Sequence, residues 1–302
     1  MKAALLKPLL FLGNQLGQKF IFNRNQVEIG RQVRDLPYGE DAQQKLDVIT
    51  PYLAGESQPV VVFFHGGGWL SGSKASYTRV CKKLTQSGAL VINADYRLGP
   101  RHQYPAQLAD AAAAIEWAYQ NASHFGGDPQ QIFIAGDSAG AHLASWVAAA
   151  LNKPTLLEKT GVKLTMPAGA LLGALLFFGV YDFETVLNTT FWNIRTMTHE
   201  GFLGVDEHVY KERARTASPI RHIQAGCAPL FICCGEVDPL FSESVALAQE
   251  AKAKGVPVEE LFFGKEEYPE ARHAFINIPF YSCTEQALLS ACQFIQDHKF
   301  AA

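Results

Sequence analysis

Gly136-Asp137-Ser138-Ala139-Gly140 constrains this chain more than any other stretch. Before it, Gln130-Gln131-Ile132-Phe133-Ile134-Ala135 is largely apolar and of strand length. After it, Ala141 to Leu151 is alanine-rich and reads as a helix. Ser138 therefore sits where a strand stops and a helix starts. A reversal this sharp strains the backbone at the serine and brings two segments close together, which the flanking glycines permit. In this strand–turn–helix context, G-x-S-x-G exposes a serine oxygen. The helix N-terminus behind it adds positive potential where an oxyanion would develop.

Strand-like and helix-like runs alternate around this turn. Residues 44–49 alternate in part, and Pro59 to Phe64 is a continuous apolar run, as in a strand buried on both faces. Leu90–Asp95, Leu171–Phe178, Leu230–Cys234 and Val258–Phe263 are further strands. Ser76–Ser87, Pro105–Gln120, Ser242–Lys254 and Thr284–His298 read as helices, two of them followed by Gly88 and Gly255. The pattern predicts an α/β fold, a mostly parallel sheet with helices on both faces. Asp182 to Arg221 breaks the rhythm. It is polar and aromatic, and its length predicts a helical excursion over the sheet.

The chain has 302 residues, 48% of them hydrophobic and 18% charged, enough for a single large domain with a sizeable core. With a net charge of −3 and scattered basic residues, nothing in the sequence suggests a nucleic-acid footprint, and no nucleic-acid partner is expected. The six cysteines form no C-x-x-C pair, and Cys233-Cys234, inside an apolar strand-like run, read as buried free thiols; a reducing, cytoplasmic compartment with no disulfide framework or metal site is expected. Ala3 to Leu12 is apolar apart from Lys7 and is interrupted by Pro8. It is too short to span a bilayer and lacks a small-x-small pattern after it. It reads instead as part of a cap segment, residues 1–35, rather than a signal peptide or a stable membrane insertion.

A serine hydroxyl needs a base to take its proton, and the base needs an acid to orient it. In a fold of this kind the acid follows a late strand and the histidine the last one. Asp238 stands in the loop after Leu230–Cys234, with Glu236 as its rival. His273 lies in the loop after Val258–Phe263, whereas His298 is at a helix C-terminus. Ser138, Asp238 and His273 are thus the candidate catalytic residues. His65-Gly66-Gly67-Gly68-Trp69 follows the buried strand. Its uncovered backbone N–H groups, with that of Ala139, suit an oxyanion hole. A phosphate loop would need a Lys-Ser/Thr ending, which is absent. His65 reads as a support for this loop and His142 as a packing residue.

HGGGW at 65–69, Asp95-Tyr96-Arg97-Leu98, GDSAG at 136–140, Asp238-Pro239-Leu240 and His273-Ala274-Phe275 agree in order and spacing. Over roughly residues 36–298 the chain resembles the hormone-sensitive-lipase-like branch of α/β-hydrolase carboxylesterases. That resemblance implies an eight-stranded sheet, a small helical cap and no cofactor. It also implies the triad above, oxyanion donors Gly67, Gly68 and Ala139, and structural roles for Asp95 and Arg97. Gly99-Pro100-Arg101 after Leu98, and Ala141-His142 after Gly140, depart from that pattern. Together with Tyr38-Gly39 and Trp69, the Ala141-His142 variant is similar to arylformamidases and their esterase relatives.

These features predict acyl transfer through an acyl-enzyme, with a small or medium acyl ester as substrate. An aryl formamide such as N-formylkynurenine is the alternative, and a non-catalytic ligand-binding homologue is another. Residues 182–221 are expected to form a cap insertion, with Trp69, Phe202, Leu203 and Phe275 as pocket walls.

Overall fold

A computed structural model describes residues 1–25, 27–53, 55 and 57–300. Eight strands form one sheet: β1 (Gln32–Pro37), β2 (Lys45–Ile49), β3 (Gln58–Phe64), β4 (Leu90–Ala94), β5 (Gly127–Asp137), β6 (Leu171–Phe177), β7 (Leu230–Gly235) and β8 (Val258–Phe263). Their spatial order is β1-β2-β4-β3-β5-β6-β7-β8. β2 is antiparallel to both of its neighbours, and the other pairs are parallel.

The continuous apolar runs serve both faces because successive side chains point to opposite sides of a strand. Val60, Val62 and Phe64 of β3 join one core. With them pack α3 (Ala106–Asn121), α4 (Ala139–Ala150) and α8 (Phe241–Ala253). Val61 and Phe63 face the other way, toward α2 (Thr78–Leu84) and α9 (Ser282–His298). α4 is buried along its whole length, which explains its small alanine-rich composition.

Two segments lie over the carboxyl ends of the strands. The first is α1 (Ala3–Gly17), continued by a wide π-helical turn to Phe22. Pro8 does not interrupt α1 as its sequence suggests. Its missing N–H removes one helical bond, while Ala3 and Leu6 hold the inner face in the core. The second runs from Asp182 to Arg221 and includes α6 (Ile194–Thr196), a π-helical turn Met197–Leu203 and α7 (Glu207–Ala217). α5 (Pro154–Thr160) connects α4 to β6. The two segments touch: Ala3 N–H donates to Glu200 Oε2 at 2.7 Å, and Thr196 Oγ1 donates to Met1 O at 2.5 Å. Lys7 Nζ donates to Gly99 O, in the loop after β4, at 2.8 Å.

A boundary at residue 35 would cut β1, so the N-terminal covering segment ends earlier than the sequence predicts. β1 escapes a sequence reading because it is a half-exposed edge strand without clean alternation. Among the described residues no helix is long and apolar enough to cross a membrane.

Candidate active site

Ser138 follows β5 and caps α4, with φ 52° and ψ −116°. Such backbone is costly for a residue with a side chain and persists only where the surroundings hold it. Here they do. A methyl group on Gly136 would lie 2.4 Å from the Gly140 carbonyl carbon, and one on Gly140 would lie 2.0 Å from Phe64 O. Only glycine lets the turn and the end of β3 approach this closely.

The structure brings the three candidate residues together. His273 Nε2 is 2.9 Å from Ser138 Oγ. His273 Nδ1 donates to Asp238 Oδ2 at 2.9 Å, with Oδ1 at 3.2 Å. Asp238 is buried, and its Oδ1 also accepts from Leu240 N–H at 2.8 Å. This bonding fixes the tautomer, leaving Nε2 as the acceptor toward the serine proton. Glu236 points elsewhere: it is exposed and accepts from Lys265 N–H at 3.1 Å. The imidazole is held edge-on by two rings, Phe191 at 4.6 Å and Phe178 at 5.1 Å.

The glycine loop has a defined internal order. Gly66 N–H donates to Asp137 Oδ1 at 2.7 Å and so is not free for a ligand. Tyr77 donates its hydroxyl to the other carboxylate oxygen at 2.8 Å. Burial pushes the Asp137 carboxyl up to about 7, although Tyr77, the nearby His273 and the Gly66 amide each pull it down. Among the described residues no backbone carbonyl accepts from the N–H of Gly67 or Gly68. Gly67 and Gly68 have φ of +128° and +61°, a region that favours glycine.

The two supporting histidines are neutral devices. His65 Nδ1–H donates to Gly66 O at 2.7 Å, and its ring stacks on Tyr96. His142 Nε2–H donates to Ala217 O at 2.9 Å while Nδ1 accepts from Trp69 Nε1–H at 3.2 Å. Burial lowers both to about 4. Asp95 accepts from Lys74 N–H, and Arg97 pairs with the buried Asp110.

A cavity of about 310 Å³ opens above Ser138, reached by Gly67, Gly68, Ala139 and His273. Trp69 contributes to its wall. Phe202, Leu203 and Phe275 do not, contrary to expectation. Phe202 stacks behind Trp69 at 5.0 Å, Leu203 is fully buried in the same core, and Phe275 packs on Phe178 and Phe263. Apolar character alone does not separate a wall from the core behind it. The walls come instead from both covering segments: Leu9, Leu10 and Phe22 on one side, Phe191, Ile194 and Met197 on the other. Phe191 was readable only as one of several aromatics in the excursion. Among the described residues no group of three or more His, Cys, Asp or Glu side chains could hold a metal ion.

A family model described as the alpha/beta hydrolase fold matches residues 61–277, from β3 to just beyond His273. The chain belongs to the α/β hydrolase fold family. Relatives of this hydrolase-fold chain include esterase LipQ and carboxylesterase NlhH of Mycobacterium tuberculosis, each 30% identical. The LipQ match covers 81% of this chain and 57% of LipQ, and the NlhH match covers 70% and 66%. The chain thus spans about three fifths to two thirds of their lengths. Among solved structures, the thermostable carboxylesterase EstE1 from a metagenomic library is 25% identical with a TM-score of 0.78, covering 100% of this chain and 99% of that one. Esterase B from Lactobacillus rhamnosis is 20% identical with a TM-score of 0.85, covering 98% and 96%, a likeness of fold.

Proposed function

We propose that this chain is a serine carboxylesterase acting on small or medium acyl esters. The observation that carries the reading is the hydrogen-bonded line from Asp238 through His273 to Ser138. His273 Nε2 takes the serine proton as Oγ attacks the ester carbonyl, and Asp238 stabilises the imidazolium that forms. The N–H groups of Gly67, Gly68 and Ala139 receive the developing oxyanion. His273 then returns the proton to the leaving alcohol. Water repeats the sequence on the acyl-enzyme, releasing the acid and restoring Ser138.

The esterase names of the relatives support this reading. So does the cavity, whose apolar walls suit an acyl chain and whose volume lies at the small end of ligand pockets. Residues 182–221 serve as a cap insertion and the N-terminal segment as its second half. Six buried free thiols favour a reducing, cytoplasmic setting.

The test is a series of nitrophenyl esters of increasing acyl length, with N-formylkynurenine as the aryl formamide comparison. Short and medium esters are expected to be cleaved fastest, and a fluorophosphonate should label the parent but not Ser138→Ala. Labelling elsewhere, or N-formylkynurenine as the best substrate, would overturn the ester reading.

A further inference from the structure

α1 is apolar on two faces, and only one of them is covered. Ala3, Leu6 and Leu10 face the domain. Leu5, Leu9, Leu12 and Leu16 follow one another at spacings of four, three and four, which puts them on one outward stripe. They are 50–67% exposed, and Phe11 and Phe20 of the same segment are 57% and 50% exposed. Of the fourteen large apolar side chains exposed among the described residues, seven lie in the first twenty positions. The outer face of an ordinary surface helix carries charged side chains, so an apolar stripe of this length marks a contact surface.

Two further observations say what covers it. First, the charge is one-sided. Residues 1–27 contain Lys2, Lys7, Lys19 and Arg24 but no Asp or Glu, in a chain whose net charge is −3. Lys2, Lys19 and Arg24 are exposed, and the Lys19 ammonium stands 5.2 Å from the Phe20 ring. Second, the stripe runs into the cavity. Leu9 is 51% exposed and also lines the space above Ser138, together with Leu10 and Gly13. Trp192, 54% exposed, follows the cavity-lining Phe191. It adjoins Asn193, whose Oδ1 accepts from the Met1 ammonium. An indole suits the boundary between acyl chains and headgroups.

We propose that α1 docks this protein, by its leucine stripe, onto the surface of a lipid bilayer bearing anionic headgroups. The helix lies in the plane of the interface, its leucines among the upper acyl carbons, with the flanking Lys2, Lys19 and Arg24 side chains against the headgroup phosphates. The cavity mouth then faces the lipid, and on the ester-hydrolase reading an apolar ester passes from the bilayer to Ser138 along Leu9. The docking itself does not depend on that reading.

The experiment is co-sedimentation of the full chain with vesicles of phosphatidylcholine mixed with phosphatidylglycerol, against pure phosphatidylcholine. Binding to the mixed vesicles is expected, and it should weaken in high salt. Leu5→Gln/Leu12→Gln/Leu16→Gln changes outward positions that do not line the cavity. It should lose roughly tenfold or more of vesicle binding while keeping the parent's turnover of a water-soluble ester. Lys2→Glu/Lys19→Glu should lose a similar factor on the mixed vesicles alone. Equal binding to both vesicle types, or none to either, overturns the proposal. So does a parent dimer in analytical ultracentrifugation that the leucine variant dissociates, which would assign the stripe to a second copy. Because vesicle binding is read without catalysis, an inactive protein that still sediments refutes the esterase reading and not the docking.

Discussion

Asp137 Oδ1 accepts a 2.7 Å hydrogen bond from the N–H of Gly66, seventy-one residues earlier in the chain. This bond ties the glycine loop to the serine turn, and Tyr77 closes it from the other side. Asp137→Ala leaves both donors buried and unpaired, at a cost of about 1–3 kcal/mol for each. It also loosens Gly67 and Gly68 against Ser138. We expect kcat for a nitrophenyl ester to fall by about 10²-fold, in the range for a lost oxyanion donor. Asp137→Asn, which keeps the acceptor for Gly66, should fall less. An unchanged kcat in a folded Asp137→Ala protein would dissociate this bond from catalysis.

Asp238 and Glu236 compete for the acid's role in sequence, but only Asp238 reaches His273. Asp238→Asn lets His273 carry its proton on the wrong nitrogen, so kcat is expected to drop by about 10⁴-fold. Glu236→Gln should remain within twofold or so of the parent, as surface changes away from such features usually do. Steady-state kinetics of the two variants side by side decides the assignment.

Phe191 stands 4.6 Å from the His273 ring and forms part of the cavity wall. Phe191→Ala enlarges the space beside the imidazole without removing a reacting group. The optimum of an acyl-length series should therefore move to longer chains, and turnover of the shortest ester should decline as His273 loses its restraint. An unmoved optimum would place the acyl chain on the opposite wall, against α1.

A methyl at Gly140 has nowhere to go, because the Phe64 carbonyl oxygen lies 2.0 Å from where it would sit and belongs to the backbone of a central strand. Gly140→Ala is expected to lower unfolding free energy by about 3 kcal/mol, the upper end for overpacking. Denaturant midpoints would show it. A stability equal to the parent's would mean that β3 and the turn can part without cost.

His142 is neutral and buried, lowered to about 4 from 6.5 by burial. The unfolded chain takes up a proton at this residue below pH 6.5, whereas the folded chain does not until about 4. The stability this histidine supplies is therefore fully present above pH 6.5 and is lost as pH falls toward 4. In His142→Gln that loss is absent, so the gap between parent and variant in urea midpoint should change between neutral pH and pH 4. A constant gap would mean that His142 titrates alike in both states.

The alternation of apolar strands and helices made the sheet legible, and the glycine-flanked serine fixed where its reactive end lies. The spacing of Asp238 and His273 after late strands followed from the same logic, since parallel strands deliver successive loops to one edge. The walls were less legible. Phe202 and Phe275 are as apolar as Phe191, yet only Phe191 meets the cavity, because that choice depends on how two covering segments cross. β1 was hidden for a different reason: its residues are half-solvated, so no burial pattern marks them.

The division between sheet and covering segments has a consequence for how such a protein can change. Ser138, His273 and Asp238 stand on loops anchored to strands whose spacing hardly tolerates an added methyl. The chamber above them is made by residues from α1 and from 182–221, which meet through a few polar contacts. Apart from Phe191, which packs on the His273 ring, and Met197, which packs on Gly68, changes in one set need not disturb the other. On the esterase reading, substrate range can drift through Leu9 or Phe22 while the hydrogen-bonded line beneath them stays constant.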